Sequence, residues 1–198
     1  MSARVDTVAD PTSSLDAARA RLRDDLRTHA LVIGEITLTS GRTAQYYVDA
    51  KRAILLPETF AALGALVADR ARAWGATAVG GVPVSAIPVA CASLAAGAPK
   101  AFIVRKERKP HGLQRWIEGP EIEPGERCVL VEDVVTSGGS TVETLERVRT
   151  EGLTVVGVVS VLDRLAGGAD AIGAALGEGG TYAALTTIDD IYPQRPDR

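Results

Sequence analysis

The sequence predicts an α/β fold in which a parallel sheet is flanked by helices on both faces. Three observations carry this expectation. Apolar runs such as CVLV at 128–131 and VVGVVSVL at 155–162 lack the polar alternation of a half-exposed strand, as strands buried on both sides do. Segments of helical periodicity lie between such runs, so strands and helices alternate along the chain. A balance of 46% hydrophobic and 24% charged residues over 198 residues is that of one globular domain, 1–198, with a packed core.

The first helix is expected at Leu15 to Thr28, where Leu15, Ala18, Leu22 and Leu26 share one face; about 1–13 is expected to be disordered. EITLTSGRTAQYYVDAK then reads as a hairpin, with SGR as its turn. Pro57 opens a helix that Gly75 ends. Next come a strand near Thr77 to Gly80, a helix near Ala86 to Ala96, and strands at Ala101 to Val104 and Arg127 to Glu132. A helix from Ser140 to Thr150 and a strand from Thr154 to Leu162 follow. Gly167 to Gly180 suggests a short helix between loose connections, and the polar segment after Asp189 reads as a surface terminus.

The net charge of -3 gives no field favouring nucleic acid or an anionic membrane, so an anion needs a local cationic cluster. Cys91 and Cys128 have no metal-ligand neighbours at useful spacing and both read as small core residues. The N-terminal residues lack the apolar run of a signal peptide, which makes the cytoplasm the expected compartment. No charge occurs between Arg72 and Lys100, but glycines and prolines interrupt that stretch, so a buried strand, turn and helix are expected rather than a membrane span.

The most informative segment is CVLVEDVVTSGGSTVETLERVRTEG. It reads as a strand, an acidic pair at its carboxyl end, a loop of small residues and a helix with a Ser140/Glu143 capping box. Backbone N–H groups at a helix N-terminus, with hydroxyls and no bulk nearby, suit a phosphate monoester. An ordinary strand-to-helix turn has the same small residues for backbone reasons alone. The loop lacks the GK[ST] and GxGxxG patterns of other phosphate sites. Glu132 and Asp133 would repel phosphate but can accept hydrogen bonds from sugar hydroxyls or hold hydrated magnesium.

A second segment, VRKERKPHGLQRWIEGPEIEPGE, carries five cationic side chains and one carboxylate between Arg105 and Arg115, inside an acidic protein. Pro110, Gly112 and Gly119 oppose a regular helix, so 105–119 is expected to be a mobile loop of the kind that closes over charged substrates. A solvated charged face is the plainer alternative.

VLVEDVVTSGGST resembles the phosphoribosyl pyrophosphate (PRPP) motif of type I phosphoribosyltransferases. TLTSGRTAQYYVDAK, RKERKPHG and LDR at 162–164 resemble the orotate phosphoribosyltransferases in particular. The resemblance implies a type I phosphoribosyltransferase fold with a small N-terminal hood, and a homodimer whose basic loop reaches the neighbouring site. It implies that Glu132 and Asp133 bind ribose hydroxyls, that Thr136, Ser137, Gly138, Gly139 and Ser140 hold the 5-phosphate, that Val134 and Val135 also contact PRPP, and that Arg105, Lys106, Lys109 and His111 meet pyrophosphate. Tyr47, Val48, Thr136 and Arg164 would hold orotate, with Arg164 on its carboxylate. Lys109, His111 and Asp133 are the catalytic candidates, and Mg²⁺ is the implied cofactor, held through pyrophosphate, ribose hydroxyls and Asp133.

The sequence departs from the family where many members have lysines, at Thr39 and at Ser85. Two other readings stay open at this stage: transfer to a purine or another base, and an RNA-binding regulator on the same fold.

Overall fold

The apolar run at 128–131 lies in a strand covered on both faces, with Val129 and Val131 in one core and Cys128 and Leu130 in another. The structure is a computed structural model that describes residues 11–37, 41, 43–108 and 115–198. It opens with helix α1 (Pro11–Asp25), which runs into a single π turn (Leu26–Ala30). Strands β1 (Leu31–Thr37) and β2 (Thr43–Val48) pair antiparallel as the expected hairpin. Then follow α2 (Lys51–Ile54), α3 (Pro57–Ala73), β3 (Ala78–Gly81), α4 (Ala86–Ala95), β4 (Lys100–Val104) and β5 (Ile117–Glu118). The last part is β6 (Arg127–Val135), α5 (Gly139–Thr150), β7 (Thr154–Asp163), α6 (Gly168–Leu176), β8 (Thr181–Thr187) and α7 (Ile188–Ile191).

The six-stranded sheet has the order β5-β4-β3-β6-β7-β8, parallel throughout except for the two-residue edge strand β5. Leu22 and Leu26, Leu63 and Val67 of α3, and Val89 of α4 fill one face. Leu145 and Val148 of α5 and Ile172 and Leu176 of α6 fill the other. Because side chains alternate along a strand, a run that is apolar at every position feeds both cores at once.

Several expectations need correction. α1 begins at Pro11, inside the stretch expected to be disordered; residues 1–10 lie outside the described residues. Cys128 is buried, and that burial pushes its thiol up to about 12, but Cys91 is exposed on α4 and is not a core residue. β6 continues three residues past Glu132, because its ladder with β7 persists to Val135 opposite Asp163. The expected Ser140/Glu143 capping box is absent: α5 starts earlier, with Gly138 as N-cap and no side-chain cap, so Ser140 already lies in the first turn. Glu143 pairs instead with Arg147, one turn along the same helix.

The polar segment after Asp189 is not a loose terminus. A Thr187/Asp190 capping box starts α7, and the Ile191 side chain is buried. Arg195, with only 8% of its side chain exposed, pairs with Asp189 and Asp197. Tyr192 packs edge-on against Tyr46 with ring centroids 5.4 Å apart.

Candidate active site

From β3 the sheet extends to β4 on one side, and the chain then returns to lay β6 on the other. Where strand order reverses in this way, a crevice opens at the carboxyl ends of the strands. Ser85, after β3, and Asp133, Val134 and Thr136, around the end of β6, line one cleft there of about 280 Å³. Tyr47, Val48 and Lys51 reach the same cleft from β2 and α2, and Arg164 reaches it from the end of β7. The structure thus gathers the four residues expected around the acceptor base: Tyr47, Val48, Thr136 and Arg164. Strand alternation places Tyr47, 40% exposed, toward the cleft and Tyr46, 3% exposed, toward the protein.

Beside the cleft, the chain bends sharply between β6 and α5. Gly138 has φ +79°, a left-handed conformation that glycine adopts without strain, and a Cβ there would meet the Gly168 carbonyl oxygen at 2.9 Å. The start of α6 presses equally close, since a Cβ on Gly168 would stand 2.6 Å from the Thr136 carbonyl oxygen. Thr136, Ser137, Gly139 and Ser140 are exposed at this bend. With no side-chain cap on α5, its first N–H groups and the nearby hydroxyls are available to an anion. Val135 is buried in the core, so only its backbone can serve a ligand.

Glu132 and Asp133 are successive residues of β6. The Thr141 hydroxyl donates to Glu132 Oε2 at 3.3 Å, and the Asp133 N–H donates to Glu132 Oε1 at 3.3 Å. Burial, with the neighbouring Asp133 carboxylate adding to it, pushes the Glu132 carboxyl up to about 7. Thr141 was not singled out from sequence. Its signal is its position in the first turn of α5, directly after the small-residue bend. Among the described residues, no group of three or more His, Cys, Asp and Glu side chains is placed to hold a metal ion.

Arg164 is fixed from several sides. Its N–H donates to the Val135 carbonyl at 2.9 Å, and its Nη2 donates to the Tyr46 hydroxyl at 2.7 Å. The guanidinium carbon lies 4.7 Å from the Tyr46 ring centroid. Tyr46 donates onward to Asp197 at 3.0 Å, which ties the segment after α7 to the cleft. The turn that carries Arg164 is held by Asp163, 2% exposed, which accepts from the Leu165 N–H and from the Tyr182 hydroxyl, each at 2.7 Å. Leu165 has φ +56°, uncommon for a residue with a side chain, and its bond to Asp163 holds it there. Arg164 Nε is buried and has no hydrogen-bond partner among the described residues. A planar guanidinium with a free Nε suits a carboxylate.

The basic segment is anchored at both feet. The Arg105 guanidinium pairs with Glu118, and its N–H donates to the Trp116 carbonyl at 2.8 Å. Trp116 lies beneath Arg108 and Arg147, with their guanidinium carbons 5.2 and 4.8 Å from its ring. Ile117 and Glu118 pair with β4, so the excursion is narrower than 105–119. Lys106 lines a neighbouring cleft with Pro83, Ile87, Ile103 and Glu118. Lys109, His111 and Thr39 lie outside the described residues.

Sequence reasoning passed over Lys51. It stands in the first turn of α2, lines the central cleft, and pairs with Asp49 at 2.6 Å.

The phosphoribosyl transferase domain model matches residues 56–173. An orotate phosphoribosyltransferase of Corynebacterium glutamicum is 42% identical over 183 residues, which are 91% of this chain and 97% of that protein. A crystal structure of the Mycobacterium tuberculosis orotate phosphoribosyltransferase, with Fe(III) dicitrate, aligns with a TM-score of 0.76 at 41% identity, covering 88% of this chain and 98% of that one. The same enzyme in complex with PRPP aligns with a TM-score of 0.74 at 38% identity, with the same coverage of both chains. With the hairpin, the parallel sheet and the bend after Asp133 all in place, the chain belongs to the orotate phosphoribosyltransferase family.

Proposed function

We propose that the chain transfers the phosphoribosyl group of PRPP to orotate, giving orotidine 5′-monophosphate and pyrophosphate. The observation that carries this reading is the single cleft lined by Tyr47, Val48, Asp133, Thr136 and Arg164, beside an uncapped helix start. In the reaction the bond from ribose C1 to the pyrophosphate oxygen breaks, and its electron pair leaves with pyrophosphate. A bond from C1 to an orotate ring nitrogen forms, and that nitrogen loses its proton.

The residues act mainly by positioning and charge. Arg164, which lines the cleft, receives the orotate carboxylate with its guanidinium, and Tyr47 lies along the ring. Glu132 and Asp133 accept from the ribose hydroxyls, and the bend from Thr136 to Ser140 donates to the 5-phosphate. Holding the sugar against the acceptor lowers the entropic part of the barrier. Lys106, Lys109 and His111, with Arg105 once released from Glu118, meet the pyrophosphate as charge develops on it. Lys109 and His111 are the candidates for proton transfer to the leaving group.

The donor set fits magnesium, a hard cation that prefers oxygen and keeps water and substrate oxygens around it. Asp133 supplies one carboxylate beside the ribose, and the substrate supplies the rest. When bound, magnesium offsets the diphosphate charge. A homodimer with the basic loop reaching the neighbouring site, and a cytoplasmic location, complete the proposal. They are supported by the family resemblance.

The test is a side-by-side assay of orotate, uracil, adenine and hypoxanthine with PRPP and magnesium. Consumption of orotate alone, with one pyrophosphate released per orotate, is expected. Turnover of a purine or of uracil in its place would overturn the acceptor assignment.

A further inference from the structure

We infer that Lys51 is the fixed cation that receives the diphosphate of the donor, an inference that rests on the phosphoribosyl transfer proposed above. The donor brings two anionic groups to the site and the acceptor brings a third. The bend from Thr136 to Ser140 contains no cationic side chain, so its phosphate contacts are N–H and hydroxyl donors. Only Lys51 and Arg164 are cationic among the described residues that line the central cleft. Arg164 is committed to the acceptor side by Tyr46 and by the turn at Asp163. Lys51 is therefore the cation of the described cleft lining left for the donor, in addition to the loop cations proposed above.

Its placement agrees with that role. Asp49 anchors the ammonium at 2.6 Å and, more than any other neighbour, raises its pKa, so Lys51 is fully charged at neutral pH. Asp133 and Tyr47 also act on it electrostatically, which sets it at the ribose-binding carboxylate. The diphosphate leaves from the carbon next to the ribose hydroxyls that Asp133 is proposed to hold. Ser85 lines the same cleft at the position where many family members carry a lysine, and Lys51 supplies a positive charge to that space from a different element. Arg105 cannot do so in this arrangement, because Glu118 holds its guanidinium, and Lys106 faces the neighbouring cleft.

The experiment compares wild type with Lys51→Ala, Lys51→Gln and Lys51→Arg. Binding of magnesium pyrophosphate and of ribose 5-phosphate is measured by calorimetry, and KM for PRPP and for orotate by initial rates. Loss of one charge-assisted contact predicts about a tenfold weaker pyrophosphate affinity and a similar rise in KM for PRPP in the Ala and Gln variants. Ribose 5-phosphate affinity and KM for orotate should stay within about twofold of wild type, and Lys51→Arg should recover most of the loss. Unchanged pyrophosphate affinity overturns the inference, as does an equal weakening of all three ligands or a change confined to orotate. Thermal melting of the Ala and Gln variants identifies a folding defect, and the variant that melts like wild type decides. Failure of wild type to turn over orotate would strike the transferase reading itself, whereas wild-type turnover with pyrophosphate affinity unchanged in the variants would strike the role of Lys51 alone.

Discussion

Arg164 donates a hydrogen bond from Nη2 to the Tyr46 hydroxyl at 2.7 Å while its guanidinium lies over the same ring. One tyrosine thus fixes both the direction and the plane of the arginine, while the buried Nε has no hydrogen-bond partner among the described residues. Lysine at this position keeps the charge but loses the fork. Arg164→Lys is expected to raise KM for orotate by at least about tenfold, the cost of a charged bidentate contact. KM for PRPP should change by less than about twofold. Tyr46→Phe should raise KM for orotate by a smaller factor, and initial-rate kinetics check both.

The turn below Arg164 depends on a buried carboxylate. Tyr182→Phe removes one of the donors to Asp163 and leaves that oxygen unpaired in the interior. The expected cost is about 1–3 kcal/mol, or a fall of several degrees in melting temperature for a domain of this size. Calorimetry gives the melting temperature. A matching fall in kcat/KM for orotate, with KM for PRPP held, marks the turn as a positioning device.

Glu132 gives the site a pH dependence of defined sign. Its carboxyl is raised to about 7, so the folded chain keeps a proton there between the ordinary carboxylate range and about 7, where the unfolded chain has lost it. The stability linked to this group is full below that window and declines as pH rises through it. With Glu132 in the proposed ribose contact, donor binding runs the other way, because an ionised carboxylate is the stronger acceptor for hydroxyls. The kcat/KM for PRPP should therefore climb with pH and level off above about 7. Glu132→Gln should flatten the profile as well as lower it.

At the bend, Gly138→Ala combines an unfavourable positive φ with a contact 2.9 Å from the Gly168 carbonyl oxygen. A backbone cost of about 1–3 kcal/mol is expected. Ribose 5-phosphate affinity, followed by calorimetry, should fall because the N–H groups of the bend shift together.

The fold was legible wherever hydrophobic pattern alone decides it. β6 and β7 carry apolar runs at 128–131 and 155–159, and a strand that feeds two cores has little other choice. Positions set by polar pairing were not legible. Arg195 is buried because Asp189 and Asp197 neutralise it, and PQRPDR gives no hint of that arrangement. β8 mixes threonine, tyrosine and alanine at the edge of the sheet, where one side needs no apolar run. In the site, the acids and the small-residue bend stood out because they are contiguous. Lys51 and Thr141 did not, since folding alone brings α2 and α5 to the residues they serve.

Phosphoribosyl transfer by this chain requires the bend after Asp133 to receive the phosphate monoester of the donor. Diffraction from a crystal soaked with PRPP and magnesium tests this directly. The predicted result is density for the 5-phosphate with its oxygens about 3 Å from the backbone nitrogens between Thr136 and Ser140, and the ribose hydroxyls against Glu132 and Asp133. Donor density at another place on the protein, with this bend unchanged and free of it, would contradict the account.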